Sequence, residues 1–272
     1  MLHTLPDGGP VYGVTSLDNL LYVLRGGTLS HQVEVYDTAS YRFQRCITIP
    51  GLGNKVDMIA CTCNCCAYLS DSSNERIHRV ALPDGADVTS WPVYDTPSCL
   101  SVTQRTSLLV TFDVVRKIKE YTTDGKLLRQ IHLPRDFLTP RHTIHLSSGE
   151  LVVCHGRIDR GDPVHRVCSI RTDGHIFESY GGPRGSGPHQ MNSPTHLAVG
   201  RHGFVFVADF NNQRVLLLSP MLTFVREVLS REQLAWMPLR LWLDSDRRIL
   251  YVGVNEYIND KHTAGRVVVV SM

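Results

Sequence analysis

The sequence lacks any apolar run long enough to cross a membrane, because its longest apolar stretches have only the length of a β-strand. Its first residues, Met1-Leu-His-Thr-Leu5, also lack the basic and long apolar regions of a secretory signal peptide. With both signals missing, we expect a cytoplasmic protein that has no membrane association.

An excess of charge is missing as well. The chain has 28 Lys and Arg residues against 26 Asp and Glu residues, which gives a net charge of +2. So small a net charge predicts no strong electrostatic attraction to nucleic acids or membranes. The composition, 42% hydrophobic and 20% charged, is typical of a globular chain with enough apolar residues for a core.

Three common catalytic motifs are absent: the Gly-x-Ser-x-Gly elbow, the His-Glu-x-x-His helix and the Gly-x-x-x-x-Gly-Lys-Ser/Thr loop. A glycine-rich run from Gly181 to Gly187 is present, but no helical pattern follows it to supply the N-terminus that binds a phosphate. We therefore interpret the run as a connection, and we predict no catalytic residue, no metal and no cofactor.

Cysteines spaced in pairs are also missing. Of the eight cysteines, Cys61, Cys63, Cys65 and Cys66 crowd into one hairpin, and Cys46, Cys99, Cys154 and Cys168 are scattered. A disulfide framework needs spaced pairs, and a zinc knuckle needs a second Cys or His pair at a matching distance. Free thiols are the favoured interpretation, with a metal or redox role of the four-cysteine cluster left as the alternative.

The clearest pattern in the chain runs from Pro194 to Leu218. Its apolar runs, Pro194 to Val199, Phe204 to Asp209 and Val215 to Leu218, have strand length and are separated by turn-forming clusters. The stretch predicts strand, turn, strand, loop and strand.

This pattern recurs along the whole chain. The centre of the second strand is found at six positions, 41 to 54 residues apart: Tyr22, Tyr68, Leu109, Val152, Phe206 and Tyr251. Propeller blades repeat at about 40 to 50 residues, and they bury their core between neighbouring blades. The sequence therefore predicts an all-β fold, a six-bladed β-propeller of four-stranded antiparallel blades that forms one domain over residues 1–272.

Two blades carry a more specific motif. Asp209-x-x-Asn212-x-Arg214 and Asp71-x-x-Asn74-x-Arg76 share one spacing, and the first follows the glycine-rich run and Pro194. The combination resembles the NHL repeat, a β-propeller blade. We predict that these residues have a structural role, in which Asp and Arg face each other across a hairpin and bind its backbone.

The other blades are weaker copies of the pattern. Phe112 and Lys117 replace the Asp and the Arg in blade 3, and residues 155–163 form an insertion in blade 4. Blade 6 has three strands that end near Val270, whereas the segment Leu2–Leu5 resembles a fourth strand. We predict that this N-terminal strand pairs with Val267–Val270 and closes the ring, which removes two exposed sheet edges.

The start of each innermost strand is the predicted binding surface. Aligning the apolar strands gives Val11, Met58, Cys99, Thr143, His196 and Arg240 at the mouth of the channel. Such a mixed ring suits recognition of a peptide or a single-stranded loop, and plain filling of the channel is the alternative. Only Cys99 and His196 are good metal ligands; an irregular strand could add His142, His145 and His155, but no carboxylate partner is evident.

The resemblance to NHL proteins implies a recognition module, because such propellers often form the substrate-binding or RNA-binding end of tripartite-motif ubiquitin ligases. The zinc-finger spacing and heptads of the other ligase domains are absent from this sequence. A protein or peptide partner is favoured over single-stranded RNA, since the candidate arginines (Arg184, Arg201, Arg214 and Arg240) are scattered. A metal-dependent propeller lyase or hydrolase is the third interpretation, and we expect a monomer.

Overall fold

The computed structural model describes residues 2–26, 31–53, 56–61, 64–171, 173–259 and 261–272. Over these ranges the chain forms 24 β-strands and one short α-helix, α1 (Arg231–Leu234). The strands form six antiparallel sheets of four strands each, arranged in a ring. The predicted six-bladed, all-β propeller is confirmed.

Each of the first three blades is a consecutive meander, in which neighbouring strands in the sequence are also neighbours in the sheet. Blade 1 comprises β2 (Val11–Leu17), β3 (Leu20–Gly26), β4 (His31–Asp37) and β5 (Phe43–Thr48). Blade 2 comprises β6 (Val56–Cys61), β7 (Cys66–Asp71), β8 (Arg76–Ala81) and β9 (Val88–Pro92). Blade 3 comprises β10 (Cys99–Val102), β11 (Leu108–Phe112), β12 (Lys117–Tyr121) and β13 (Leu127–His132).

Blades 4 and 5 follow the same order, and blade 6 takes its outermost strand from the N-terminus. Blade 4 comprises β14 (Pro140–His145), β15 (Leu151–His155), β16 (Val164–Ile170) and β17 (Ile176–Pro183). Blade 5 comprises β18 (Pro194–Val199), β19 (Val205–Asp209), β20 (Arg214–Leu218) and β21 (Phe224–Leu229). Blade 6 comprises β22 (Met237–Asp244), β23 (Ile249–Ile258), β24 (Lys261–Ser271) and β1 (Leu2–Thr4).

The N-terminal strand closes the ring as the sequence predicts. Leu2 pairs with Val270 and Thr4 pairs with Val268, both antiparallel. The backbone N–H of Leu5 then donates to the carbonyl of Val267 at 2.9 Å. Both edges that would otherwise be open are paired with each other.

The core lies between blades. Six apolar clusters each join two neighbouring sheets, including the last and the first. Between blades 1 and 2, for example, Tyr22 and Leu24 pack with Met58, Leu69 and Val80. Because each cluster needs side chains from two sheets, the blades, as far as their residues are described, share their cores with their neighbours.

The topology also determines at which of the two ends of the ring each loop lies. Each first strand begins where the second strand ends, as in the pairing of Pro194 with Asp209. The segments joining one blade to the next therefore share one end with the turns between second and third strands. We call this end the connection face. The residues between β15 and β16, which include the 3₁₀ turn Ile158–Arg160, lie on it.

The described cysteines Cys46, Cys65, Cys66, Cys99, Cys154 and Cys168 are all free thiols. Cys66 is buried and Cys65 is exposed, whereas Cys63 and the side chain of Cys61 lie outside the described part of the structure. Across the described ranges, no helix has the length and apolar character that spanning a bilayer requires.

Candidate functional site

The register of the strand ladders identifies one equivalent residue on each innermost strand. In every blade this residue pairs with a residue of the second strand. That partner comes directly before the position that Asp209 occupies in blade 5. These six residues, which we call the inner ring, are Gly13, Asp57, Cys99, His142, His196 and Arg240.

The inner ring shares Cys99, His196 and Arg240 with the residues aligned from the sequence, but it differs in blades 1, 2 and 4. Val11 packs in the core between blades 6 and 1, and Met58 packs in the core between blades 1 and 2. The hydroxyl of Thr143 is paired with that of Thr111 at 2.9 Å. These three side chains are buried between blades.

Asp57 and Arg240 meet although their blades are not neighbours. Arg240 Nε lies 2.8 Å from Asp57 Oδ1, but its N–H donates to the carbonyl of Tyr12, also at 2.8 Å. Arg240 Nη1 donates to the carbonyl of Leu239 at 3.0 Å. Asp57 Oδ2 accepts the N–H of Leu100 at 2.9 Å, whereas Asp57 Oδ1 is ion-paired with Arg240 and accepts no hydrogen bond among the described residues. Burial lowers the pKa of Arg240, but the charge of Asp57 outweighs it, so that the pKa lies above its usual value.

His142 and His196 stack with ring centroids 3.8 Å apart. His142 Nδ1 accepts the N–H of Leu197 at 3.1 Å, and Nε2 lies 2.9 Å from the carbonyl of Leu100. This pattern requires a neutral ring with its proton on Nε2. Burial lowers the pKa of His142 to about 4. Burial and then the neighbouring His142 lower the pKa of His196 well below its usual value.

One cluster in the inner ring has the donors of a metal site. Asp57, Cys99 and His196 each present one ligand atom, and these atoms lie within 4.8 Å of one another. The sequence pointed to Cys99 and His196 but missed Asp57, whose signal is a lone carboxylate in the apolar strand Val56–Cys61. Thiolate, imidazole and carboxylate are all ligands that zinc accepts.

The other candidate histidines lie outside this cluster. His155 ends β15, where its Nε2 accepts from Arg166 Nε at 2.9 Å and its ring packs on Phe137. His145 ends β14 at the opposite end of the strand from His142 and lines a pocket of about 320 Å³ with Glu120 and Arg129. Glu120 and Arg129 are already paired at 2.5 Å.

A half-buried arginine lies beside the inner ring on the connection face. Arg141 follows the first residue of β14. Its Nε has no hydrogen-bond partner, and no carboxylate lies within ion-pair distance of it in the described part of the chain. Burial and then the positive charge of Arg157 lower its pKa. Arg157 itself is paired with Asp159 and lies 3.8 Å from Asp113.

Exposed apolar side chains occur on the same face in blades 2 to 4. Tyr94 is 81% exposed in the connection from blade 2 to blade 3, and Val114 is 68% exposed in the turn between β11 and β12. Val115 and Leu138 are also exposed, and Leu138 belongs to the connection into blade 4. Because Arg157 approaches Asp113, the Val114 turn adjoins the arginines of blade 4.

The two copies of the Asp-x-x-Asn-x-Arg motif use their residues differently. In blade 5, Asp209 accepts from the N–H of Asn192 at 2.7 Å, from Asn212 at 2.8 Å and from Arg214 at 2.8 Å. Burial raises the pKa of Asp209 although these three donors lower it.

In blade 2, Asp71 accepts from the N–H of Gly53 at 2.9 Å, from Asn74 at 2.8 Å and is paired with His78 at 3.2 Å. Arg76 turns away and donates to Ser90. The aspartate therefore ties the connection entering the blade to the hairpin in both copies, whereas the arginine joins it only in blade 5.

Comparison with known proteins supports the fold. No protein-family model and no curated protein matches the sequence. A streptogramin B lyase structure is similar, with a TM-score of 0.65, 15% identity and coverage of 98% of this chain and 86% of that one. A virginiamycin B lyase from Staphylococcus aureus has a TM-score of 0.65, 10% identity and coverage of 99% and 100%. Hydrazine synthase from Kuenenia stuttgartiensis has a TM-score of 0.65, 13% identity and coverage of 99% and 97%. At such low identity these neighbours show the propeller fold and no activity.

Proposed function

We propose that this chain is a non-enzymatic recognition module that binds an acidic segment of a protein partner on the connection face. The observation that carries the proposal is Arg141, a half-buried guanidinium that has no ion-pair partner among the described residues. A carboxylate that reaches it would form a charge-assisted, bidentate pair in a place partly shielded from water.

The surroundings of Arg141 favour an anion. Arg157 and Arg240 lie close enough to Arg141 to lower its pKa, so their positive charges act on the same place. Asp113, which opposes them, is already shared with Arg157. An incoming carboxylate would therefore be attracted by more than one arginine.

The exposed apolar residues favour a protein as the source of the carboxylate. Tyr94, Val114, Val115 and Leu138 are exposed apolar side chains in loops of the connection face, and binding surfaces combine apolar anchors with arginine. Binding of single-stranded RNA needs several aromatic side chains for base stacking and a row of positive charges along the backbone. Tyr94 would supply one of these aromatic side chains. The NHL-like motifs in blades 2 and 5 agree with a recognition role, such as the substrate-recognition part of a ubiquitin-ligase-type protein.

The test is fluorescence anisotropy with a labelled peptide of alternating Glu and Leu residues. We expect Arg141→Glu to weaken binding at least about tenfold, since a hydrogen bond to a charged group contributes about 1.5–3 kcal/mol. Arg105→Glu is the matched control, because Arg105 is exposed in the turn between β10 and β11 at the opposite end of the ring. Equal binding by the Arg141 variant would refute the proposal, and tighter binding of oligouridine through Arg141 would favour the RNA interpretation.

A metal-dependent lyase or hydrolase is the second candidate, favoured by the group Asp57, Cys99 and His196. The geometry ranks it lower for two reasons. The three side chains are 0%, 2% and 5% exposed, which leaves little surface for a substrate. The neighbouring His142 holds two backbone groups and is therefore not free to transfer a proton. Turnover of a lactone or ester substrate that Cys99→Ser abolishes would reverse this ranking.

A further inference from the structure

We propose that Asp57, Cys99 and His196 bind a zinc ion on the axis of the ring, where it joins three blades. The first observation is their convergence: one ligand atom from each lies within 4.8 Å of the other two. They belong to β6, β10 and β18, on blades 2, 3 and 5, so the fold itself brings them together and not their spacing in the sequence.

The donor set suits zinc. Tetrahedral zinc takes sulfur at about 2.3 Å and nitrogen or oxygen at about 2.0–2.2 Å, which places its ligands about 3.3–3.8 Å apart. The three donor atoms lie within 4.8 Å of one another and would move closer together to reach such distances. One thiolate with imidazole and carboxylate favours zinc over magnesium or calcium, which take oxygen ligands.

The second observation is the buried carboxylate of Asp57. Its side chain is fully buried, and its Oδ1 lies 2.8 Å from Arg240 Nε in an ion pair but accepts no hydrogen bond among the described residues. The Nε and Nη1 groups of Arg240 donate to the carbonyls of Tyr12 and Leu239. The Oδ1 lone pairs are therefore not used by a hydrogen-bond donor, and a metal ion could bind them.

The charges and protonation states are compatible with the ion. Zinc binding releases the thiol proton of Cys99 to solvent, which leaves two negative ligands for the doubly charged ion. His196 is neutral, as a ligand must be, because burial and the adjacent His142 disfavour its charged form. Arg240, which the carboxylate now neutralises, keeps its two carbonyl partners.

A zinc ion here would have a structural role and cross-link three blades. Among the described residues, blade 5 shares no apolar cluster with blades 2 or 3, so the ion would connect parts of the ring that these clusters do not connect. Three protein ligands leave a fourth position for water. Because the site is buried, we expect the metal to enter during folding.

The experiment uses the full chain refolded with excess zinc and then dialysed into metal-free buffer. Elemental analysis should find about one zinc per chain, and a zinc-free preparation should unfold at a lower temperature. Refolding with cobalt should give the near-ultraviolet absorption of a cobalt–thiolate bond, and the Cys99 variant shows whether Cys99 supplies the thiolate.

Cys99→Ser should abolish the cobalt–thiolate band, and Asp57→Asn and His196→Gln should each weaken zinc binding at least about tenfold. Cys168→Ser is the matched control, because Cys168 is an equally buried free thiol on the third strand of blade 4, and it should keep the band. The inference is overturned if refolded wild-type protein retains no zinc, or if Cys99→Ser keeps the band. Peptide binding through Arg141 is measured separately, so the two proposals can fail independently.

Discussion

Three inner-ring side chains face a backbone N–H group of the next blade, one with a carboxylate and two with an imidazole. Asp57 accepts the N–H of Leu100, and His142 accepts that of Leu197. His196 lies 3.4 Å from the N–H of Leu241. Leu100 lies on the blade next to that of Asp57, and Leu197 on the blade next to that of His142. A buried acceptor is therefore what these positions require, and a neutral imidazole meets that need at a lower desolvation cost than a carboxylate.

His142 makes the stability of the protein depend on pH. The pKa of His142 is about 4 in the folded chain, whereas an unperturbed histidine has a pKa of 6.5. Between these two pH values the unfolded chain binds a proton that the folded chain does not. Stability is therefore fully present above about pH 6.5 and is lost as the pH falls towards 4, by about 3 kcal/mol. Urea unfolding at pH 7 and at pH 4.5 measures the loss.

The matched variant is His142→Gln, whose amide can accept from Leu197 and donate to Leu100 without titrating. It should lose less stability on acidification than the wild type, whereas His202→Gln, a change at an exposed position, should behave like the wild type. Parallel pH profiles for wild type and His142→Gln would show that this histidine does not control the acid response.

At the scale of the strand, much of the fold follows from the sequence. All six residues found as centres of second strands lie in second strands, including Tyr22, Tyr68 and Tyr251. Alternation of apolar and polar residues fixes strands well because the side chains repeat every two residues. The pairing of Leu2–Thr4 with the last strand was predictable for the same reason.

The inner ring could be predicted only in part, because local irregularities change its register. The ladder shifts between Pro140 and His142 and between Val11 and Gly13. The ladder of blade 2 has no such shift in its first strand. A one-residue change moves a side chain to the other face of a strand, so Asp57 takes the place assigned to Met58. Apolar periodicity contains no signal for such a bulge.

The aspartate of the blade motif should matter more for stability than its arginine. Asp209→Ala leaves Arg214 without its carboxylate and the N–H of Asn192 without its acceptor, which should cost about 3–5 kcal/mol. Arg76→Ala in blade 2 removes only contacts to Ser90 near the surface, which should cost less than about 1 kcal/mol.

Urea unfolding of both variants, with Asp209→Asn as a third, tests this ranking. The asparagine keeps an acceptor for Asn192 and should therefore fall between the other two. Similar costs for Asp209→Ala and Arg76→Ala would show that the motif does not hold the hairpin through its aspartate.

At the scale of the whole molecule, the blades of the described chain share their cores with their neighbours. Every apolar cluster lies between two sheets, and blade 6 needs residues from both ends of the chain. The fold is shared with lyases and a hydrazine synthase at 10% to 15% identity. The architecture therefore depends on apolar periodicity, and the polar residues at the connection face and the axis are free to differ in function.

Closure of the ring gives the last prediction. Deleting residues 2–8 removes β1 from its pairing with Val268–Val270 and takes Leu5, a buried residue, out of the core between blades 6 and 1. Losing such a residue costs about 2–5 kcal/mol, so we expect the unfolding temperature to fall by about 10 °C. The uncovered edge of β24 should also pair with other chains, and the truncated protein should associate as its concentration rises.

Leu5→Ala separates these two effects, because it weakens the core and keeps the strand. This variant should unfold at a lower temperature than the wild type and stay monomeric in light scattering, whereas the truncated chain should both lose stability and associate. If the truncated chain remained monomeric at every concentration, the edge of β24 would be protected by something other than β1, and the N-terminal strand would contribute packing alone.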